Sequence, residues 1–431
     1  MTLSRRLYSV VVYLLVPLVM VRLFLRGLRT PAYRLRLGER FGFGVSLPRS
    51  LPVLWVHAVS LGEAQAAVPL VRALRTRYPQ VLIAFTTTTP TGAGCVEGAF
   101  GADPLVMHQY VPYDLLGAVR RFLDRIHPQW GVVMETELWP NLMHACHKRG
   151  MPLLLANARL SERSARGYGR FSALTQETLQ CLDAIAAQTE ADAERFRKLG
   201  TPQERVRVTG NLKFDLQLPA SLWEEAAALR RDWCPNRPVW IAASTHEGEE
   251  EAVIAAHAAL RKTIPNALLL IAPRHPERFS RVAALCRRMG FPAVAWSEHT
   301  QVPESCAIYL GDTMGRLPLF YAASDAAFVG GSLVPIGGHN PLEPAALGIP
   351  VAFGPHCFHF VEITQLLLEA EAAQTVQDRS ALTDTMIRWL QDAHLRDTVG
   401  HRGRRVVESH RGALHTLLEM LDRNMRDVSP P

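Results

Sequence analysis

In the stretch "WVHAVSLGEAQAA", residues 55–67, a carboxylate stands where an anion would be welcome. An apolar run from Leu51 to Val59 ends at Ser60-Leu61-Gly62-Glu63, and an Ala-rich helical pattern follows at once. A glycine between strand and helix lets the backbone come close to a ligand, and a helix start favours bound anions. Glu63 at such a corner reads either as a proton acceptor or as a cap on the helix dipole. "METELWPN" adds Glu135 and Glu137, which fall on one side of a strand end if the chain stays extended. Neighbouring carboxylates repel unless a cation, a hydrogen bond or a proton separates them. Lys213 of "GNLKFD" is the candidate cation, with structural ion pairing as the plainer alternative.

The C-terminal half offers groups suited to a nucleotide. "GGSLVPIGGHNPLEPAALGIP" places a glycine turn after a strand and opens a helix near Asn340, a start suited to a phosphate. Glu343 can accept hydrogen bonds from ribose hydroxyls. "APRHPER" sets Arg274 at another strand end, where a guanidinium holds a phosphate bidentately. "AASTHEGEEE" adds hydroxyls and a helix start at Ser244–Glu247. Each alone could be a capped loop beside a surface arginine; the three together point to a nucleotide. Neither G-x-x-x-x-G-K-[ST] nor G-x-G-x-x-G occurs, which weakens ATPase and simple dehydrogenase readings. The histidines of "HACH" (His144, His147) and "GPHCFHF" (His356, His359) lack the further ligands of a closed zinc site, so no metal is expected.

Two series of short apolar runs alternating with helical patterns must position these residues. The first comprises "VLWVHA", "VLIAFTTTT", "LVMHQYVP", "WGVVMETE", "PLLLANAR", "AIAAQTE" and "RVRVTGN", with helices over 63–77, 115–126 and 190–199 among those between. The second comprises "VWIAAST", "ALLLIAPR", "AVAWS", "CAIYLGD", "AAFVGGS" and "VAFGP". Near-continuous apolar strands alternating with helices predict parallel sheets buried on both faces. We expect an α/β protein of two facing, doubly wound, Rossmann-like domains, split near residue 215, with a helix over 219–232 opening the second. Ligands of such sheets bind beyond the carboxyl ends of the strands, where all the motifs above fall, so the site is expected in the cleft between domains. An amphipathic helical stretch over 393–421 is expected to act as a strap within the second domain.

The chain has 431 residues, and its net charge of +7 is concentrated. Residues 1–40 carry eight arginines (5, 6, 22, 26, 29, 34, 36 and 40) against Glu39, which leaves the remainder neutral. A nucleic-acid enzyme would spread its basic residues over a working surface. Here they flank "LYSVVVYLLVPLVMVRLFL", residues 7–25, which is apolar except for Arg22 near its end, long enough for one bilayer span and without a small-residue cleavage site. The reading is a membrane anchor over 1–30 with a basic collar, an acceptor-binding domain over 31–215 and a nucleotide-sugar domain over 216–431. The arginines after the segment keep the body in the cytoplasm. Seven scattered cysteines without a C-x-x-C pair fit reduced thiols there.

The chain resembles the 3-deoxy-D-manno-octulosonic acid (Kdo) transferases. The likeness runs from the anchor to the last helix through "HAVSLGE", "TTTTPTG", "METELWPN", "NARLSERS", "GNLKFD", "STHEGEEE", "PRHPERF", "DTMG" and "GGHNPLEPA". It implies a GT-B fold and an inverting transfer of Kdo from CMP-Kdo to the lipid A precursor, lipid IVA, at the bacterial inner membrane, in lipopolysaccharide core biosynthesis. It also implies that Glu63 is the proton acceptor and that Glu135 and Lys213 stabilise the transition state. Cytidine nucleotide contacts fall on Pro273 and Arg274, on Met314, Gly315 and Arg316, and on Asn340, Pro341, Leu342 and Glu343. Two positions depart from the family pattern: Arg316 follows "DTMG" where Glu is usual, and His359 replaces Asn in "GPH--NF". A nucleotide-sugar epimerase shares the two-domain plan but leaves the anchor unexplained. A non-catalytic lipid-binding protein leaves the acidic and nucleotide-like motifs unexplained.

Overall fold

A computed structural model describes residues 2–216, 218–233, 236–298 and 302–426; the side chain of Arg29 in the basic collar, Gln217 at the expected boundary, and Cys234 lie outside the described residues. The chain divides into two units, residues 1–215 with 411–431, and residues 216–410.

The first unit is built on seven parallel strands: β1 (Val53–His57), β2 (Leu82–Thr87), β3 (Val106–Tyr110), β4 (Trp130–Met134), β5 (Leu153–Ala158), β6 (Ala184–Ala187) and β7 (Val206–Val208). Their order is β3-β2-β1-β4-β5-β6-β7. Every residue of β1, β2, β4 and β5 is buried, as helices on both faces require. Trp55, Val133 and Leu155 join one core, and Leu54, Val132 and Leu154 join another on the opposite face, following the two-residue alternation of a strand.

The second unit repeats the plan with β8 (Val239–Thr245), β9 (Leu268–Pro273), β10 (Ala293–Ala295), β11 (Ile308–Leu310), β12 (Ala326–Val329), β13 (Val351–Phe353) and β14 (Ala373–Thr375), in the order β10-β11-β9-β8-β12-β13-β14. β14, "AQT", is a short edge strand that apolar runs do not reveal. In each sheet the order reverses at its first strand, β1 or β8, which creates a switch point at the carboxyl edge.

One part of the sequence-based division is corrected. The stretch 393–421 is two helices, Ala393–Ser409 and Ala413–Arg426, and the break at Gly412 (φ +110°) separates units. The first packs on helix Leu342–Ala346 of the second unit, where Gly400 allows close approach to Gly348. The second returns to the first unit: Ala413, Leu417, Met420 and Leu421 enter the core beneath helix Leu61–Arg77. Asp215 fixes this helix start by accepting N–H bonds from Gly412 at 2.8 Å and Leu414 at 2.7 Å.

The apolar N-terminal segment is a helix, Leu3–Arg29, long and apolar enough to cross a membrane by composition and almost unburied. The basic collar is only partly free. Arg5 is buried against Glu177, and Arg36 binds Glu39 at 2.7 Å and the His108 carbonyl at 2.7 Å. Arg40 is buried over the Tyr110 ring. Arg6, Arg22, Arg26 and Arg34 remain exposed.

Candidate active site

Ser60 caps helix Leu61–Arg77, accepting the Glu63 N–H at 3.3 Å. Glu63 folds back: Oε2 accepts the Val59 N–H at 2.8 Å and Oε1 accepts the Ser60 hydroxyl at 2.8 Å. The capping reading of this residue therefore holds, and the capping contacts do not conflict with the proton-acceptor reading, because the carboxylate that could take a proton is the one that closes the cap. Glu63 is only 9% exposed. Burial pushes its carboxyl up to about 7; the Val59 N–H opposes this, and the charges of Glu135 and Glu137 add to it. A carboxylate poised near neutrality is suited to general-base work.

Glu135 and Glu137 reach this group by a different backbone route from the one expected. β4 stops at Met134, and Glu135 turns into the left-handed region (φ +54°), so strand alternation does not place the pair. Such a conformation is unusual for a residue with a Cβ and is held by its surroundings. Here the Glu135 N–H is fixed by the Ala156 carbonyl at 2.9 Å. Glu137 accepts the Trp139 indole N–H at 2.8 Å, and burial raises its pKa. Glu63 and Glu135 thus follow adjacent strands, β1 and β4, in electrostatic contact.

Lys213 lies on a 3-10 turn, Leu212–Phe214, after the edge strand β7. The chain is drawn inward from that edge by a polar relay. Asn157, at a bulge in β5 with φ +53°, accepts the Leu212 N–H at 3.0 Å. Gln188 donates to the Asn157 carbonyl at 2.9 Å and accepts from Asn211 at 3.0 Å. Leu212 consequently packs in the core with Ala64 and Ala67 of the helix that Glu63 opens.

In the second unit, Arg274 directly follows β9, and its N–H is held by the Thr245 carbonyl at 3.1 Å. Its charge opposes the effect of burial, which pushes the Glu343 carboxyl up to about 7, so Arg274 and Glu343 share a neighbourhood. His246 and His339 stack with ring centroids 5.1 Å apart, and their Nε2 atoms are 2.8 Å apart. One must donate and the other accept, so they are not both charged. Burial pushes His339 down to about 3, helped by Arg274.

Asn340 accepts the Leu342 N–H at 3.1 Å, one residue ahead of the N-cap Pro341 of the following helix. That helix, Leu342–Ala346, has only five residues, so a sizeable dipole at Asn340 is not supplied. Pro341 and Leu342 are buried, and Glu343 lies in the first turn. Pro273 ends β9. Met314 is 52% exposed, and Gly315 takes φ +77° in open space. The Arg316 side chain, about half exposed, pairs with Glu225 at 3.2 Å. His359 donates its N–H to the Gly337 carbonyl at 3.1 Å, and its ring lies where a Gly337 Cβ would stand. Among the described residues, no group of three His, Cys, Asp or Glu side chains could hold a metal.

Sequence reading missed Glu249. This fully buried carboxylate accepts four backbone N–H bonds: His246 at 3.0 Å, Gly331 at 2.7 Å, Ser332 at 2.9 Å and Leu333 at 2.8 Å. It fastens the Gly330-Gly331-Ser332 turn to the end of β8. A Cβ at Gly330 would meet the Ser244 carbonyl at 2.8 Å, so this approach needs glycine. Glu249→Gln turns an amide NH₂ toward donors, at about 1–3 kcal/mol for each buried donor left unpaired. We expect a clear fall in the thermal midpoint of an isolated 216–410 fragment and weaker CMP binding, read by scanning calorimetry and titration.

Two Rossmann-like units, with acids at the strand ends of one and an arginine–histidine–glutamate cluster in the other, define a protein of the GT-B class. The UDP-GlcNAc 2-epimerase of Neisseria meningitidis, solved with UDP-GlcNAc, has the same fold: TM-score 0.57 at 14% identity, over 86% of this chain and 100% of that one. A family profile described as "3-Deoxy-D-manno-octulosonic-acid transferase (kdotransferase)" matches residues 35–216. A 3-deoxy-D-manno-octulosonic acid transferase of Haemophilus influenzae is 43% identical over 420 residues, covering 97% of this chain and 98% of that protein. Its counterpart in Bordetella pertussis is 37% identical over 431 residues, covering 97% and 99%. The chain belongs to the 3-deoxy-D-manno-octulosonic acid transferase family and is a glycosyltransferase.

Proposed function

We propose that this enzyme moves Kdo from CMP-Kdo to the lipid A precursor, lipid IVA, at the cytoplasmic face of the inner membrane, with inversion at the Kdo anomeric carbon. The observation that carries the catalytic assignment is Glu63, a buried carboxyl near 7 beside two further acids. A glucosamine hydroxyl of the acceptor is scarcely acidic and must lose its proton as it attacks. Its oxygen forms the new bond to the anomeric carbon, its proton passes to Glu63, and the old carbon–oxygen electron pair leaves with CMP. Glu135 and Lys213 stabilise the transition state between these events, the carboxylate suited to the oxocarbenium-like positive charge and the ammonium to the negative charge that grows on the leaving group.

CMP is held by Pro273 and Arg274, by the backbone of Met314, Gly315 and Arg316, and by Asn340, Pro341, Leu342 and Glu343. Its phosphate gains one negative charge on leaving, which the Arg274 guanidinium stabilises. A departing monophosphate carries less charge than a diphosphate, so we propose no obligatory metal or other cofactor. Turnover is expected to persist in excess EDTA, and its loss with recovery on adding Mg²⁺ would overturn that proposal. The N-terminal helix and the exposed arginines Arg22, Arg26 and Arg34 supply attachment to anionic lipid, each basic residue contributing about 1 kcal/mol.

Incubation with CMP-Kdo and lipid IVA tests the activity. Transfer requires CMP release that depends on the acceptor, with a mass increase of the lipid. Donor conversion without acceptor would favour an epimerase, and no conversion a lipid-binding protein.

A further inference from the structure

We propose that the N-terminal helix does not cross the bilayer but lies in its cytoplasmic interface, with both ends on the side of the enzyme body and one apolar face in a single leaflet. This rests on the membrane reading above and refines it.

The first turns of the helix are fastened to the first unit by polar contacts. Arg5 and Ser9 are 5% and 4% exposed. Arg5 pairs with Glu177 at 3.6 Å, Tyr8 donates to Asp114 at 2.9 Å, and Ser9 donates to Asn141 at 3.1 Å. Asp114 also accepts the N–H groups of Asn141 at 2.9 Å and Leu142 at 2.8 Å, so it belongs to the start of helix Pro140–Lys148. The contact line continues to Tyr13, whose hydroxyl accepts the Gly117 N–H at 3.5 Å.

A span over Leu3–Leu28 would have to break these bonds or draw Glu177 and Asp114 into hydrocarbon. The first leaves Glu177 without Arg5 and Asp114 without Tyr8, and the second puts carboxylates into lipid, where charge is costly. With the helix tied to the body at Arg5, Tyr8, Ser9 and Tyr13, only residues 14–28 remain for a span, and they include Arg22 and Arg26. At about 1.5 Å per residue they extend about 22 Å, short of a hydrocarbon core of about 30 Å.

The far end also returns to the same unit. The 3-10 turns Pro31–Arg34 and Leu37–Phe41 lead into it, and there Glu39 accepts the Tyr110 N–H at 2.7 Å. What the helix presents outward is a broad apolar side, with Leu14, Leu18, Val21, Leu25 and Leu28 at helical spacing, each at least 56% exposed, and Phe24 beside them at 58%. Leu23 and Gly27, on another face, are buried, and Arg34 covers Gly27. Exposed Arg22 and Arg26 lie within the segment. An apolar stripe with cationic flanks fits acyl chains under anionic headgroups, inserted about 5–10 Å deep.

Thr2→Cys, an exposed position, tests this in the full-length protein with a membrane-impermeant maleimide, the label at residue 2 being read by peptide mass spectrometry apart from the partly exposed Cys95 and Cys357. The expected result is labelling in inverted inner-membrane vesicles at nearly the detergent rate, with none in intact spheroplasts. Labelling in spheroplasts would place the helix start across the membrane and overturn the proposal. Labelling only in detergent would place it inside the bilayer and overturn it equally. Absence of the protein from the membrane fraction is a separate outcome that would reject the membrane reading itself.

Discussion

Glu63→Gln is expected to lower single-turnover transfer by roughly 10²–10⁴-fold while leaving fold and CMP affinity in place. Gln matches Glu in shape, and its carbonyl can still accept the Val59 N–H that closes the helix cap. What it lacks is a site basic enough to hold the acceptor's proton. The pH dependence supplies an independent reading. Burial raises the free carboxyl to about 7, so the ionised, proton-accepting form is present above that pH and is lost as pH falls through it. In the wild type, kcat/KM should fall about tenfold per pH unit on the acid side and level off above 7. In the variant that limb should vanish with the activity. Near-normal single turnover by Glu63→Gln would assign the base to another group.

The second large effect is expected at Arg274. Arg274→Ala should weaken CMP and CMP-Kdo binding by one to two decades, since a charge-assisted hydrogen bond contributes about 1.5–3 kcal/mol. Acceptor affinity should hardly change. Turnover should fall at least as far, because charge on the phosphate grows as the bond breaks. Arg274→Lys should recover only part of the loss, keeping the charge but not the planar fork. Glu343 adds a signature. Arg274 holds its carboxyl lower than burial alone would, so removing the guanidinium raises it further. A larger share is then protonated at neutral pH and stops accepting from ribose. The affinity loss should therefore be greater at pH 6 than at pH 8.5, by calorimetric titration. Wild-type affinity in Arg274→Ala would move the phosphate site elsewhere.

Fold and motifs were legible where a local pattern carries them. Apolar runs such as "VLWVHA" and "ALLLIAPR" became strands because parallel sheets covered on both faces need continuous burial. β14 escaped because three residues at a sheet edge need no apolar run. Glu63 was legible as a cap, since that role follows from its place after a strand and at a helix start. The neighbourhood of Glu135 and Glu137 was anticipated for the wrong reason, as a left-handed turn cannot be inferred from alternation. Glu249 was invisible because its partners at Gly331, Ser332 and Leu333 lie 82–84 residues away and are backbone groups, which sequence does not mark. The collar read as uniform because net charge does not reveal that Arg5, Arg36 and Arg40 already have protein partners.

The return of helix Ala413–Arg426 to the first unit bears on the order in which the protein matures on the ribosome. Residues 216–410 are continuous, and their sheet can close as soon as that stretch has emerged. The first unit is made earlier but cannot finish earlier. The apolar ground beneath helix Leu61–Arg77 stays open until Ala413, Leu417, Met420 and Leu421 arrive to fill it. The part of the enzyme synthesised first therefore waits through the whole synthesis of the second unit with an unfinished hydrophobic face. A premature stop just before residue 411 would spare the second unit and spoil the one that carries Glu63.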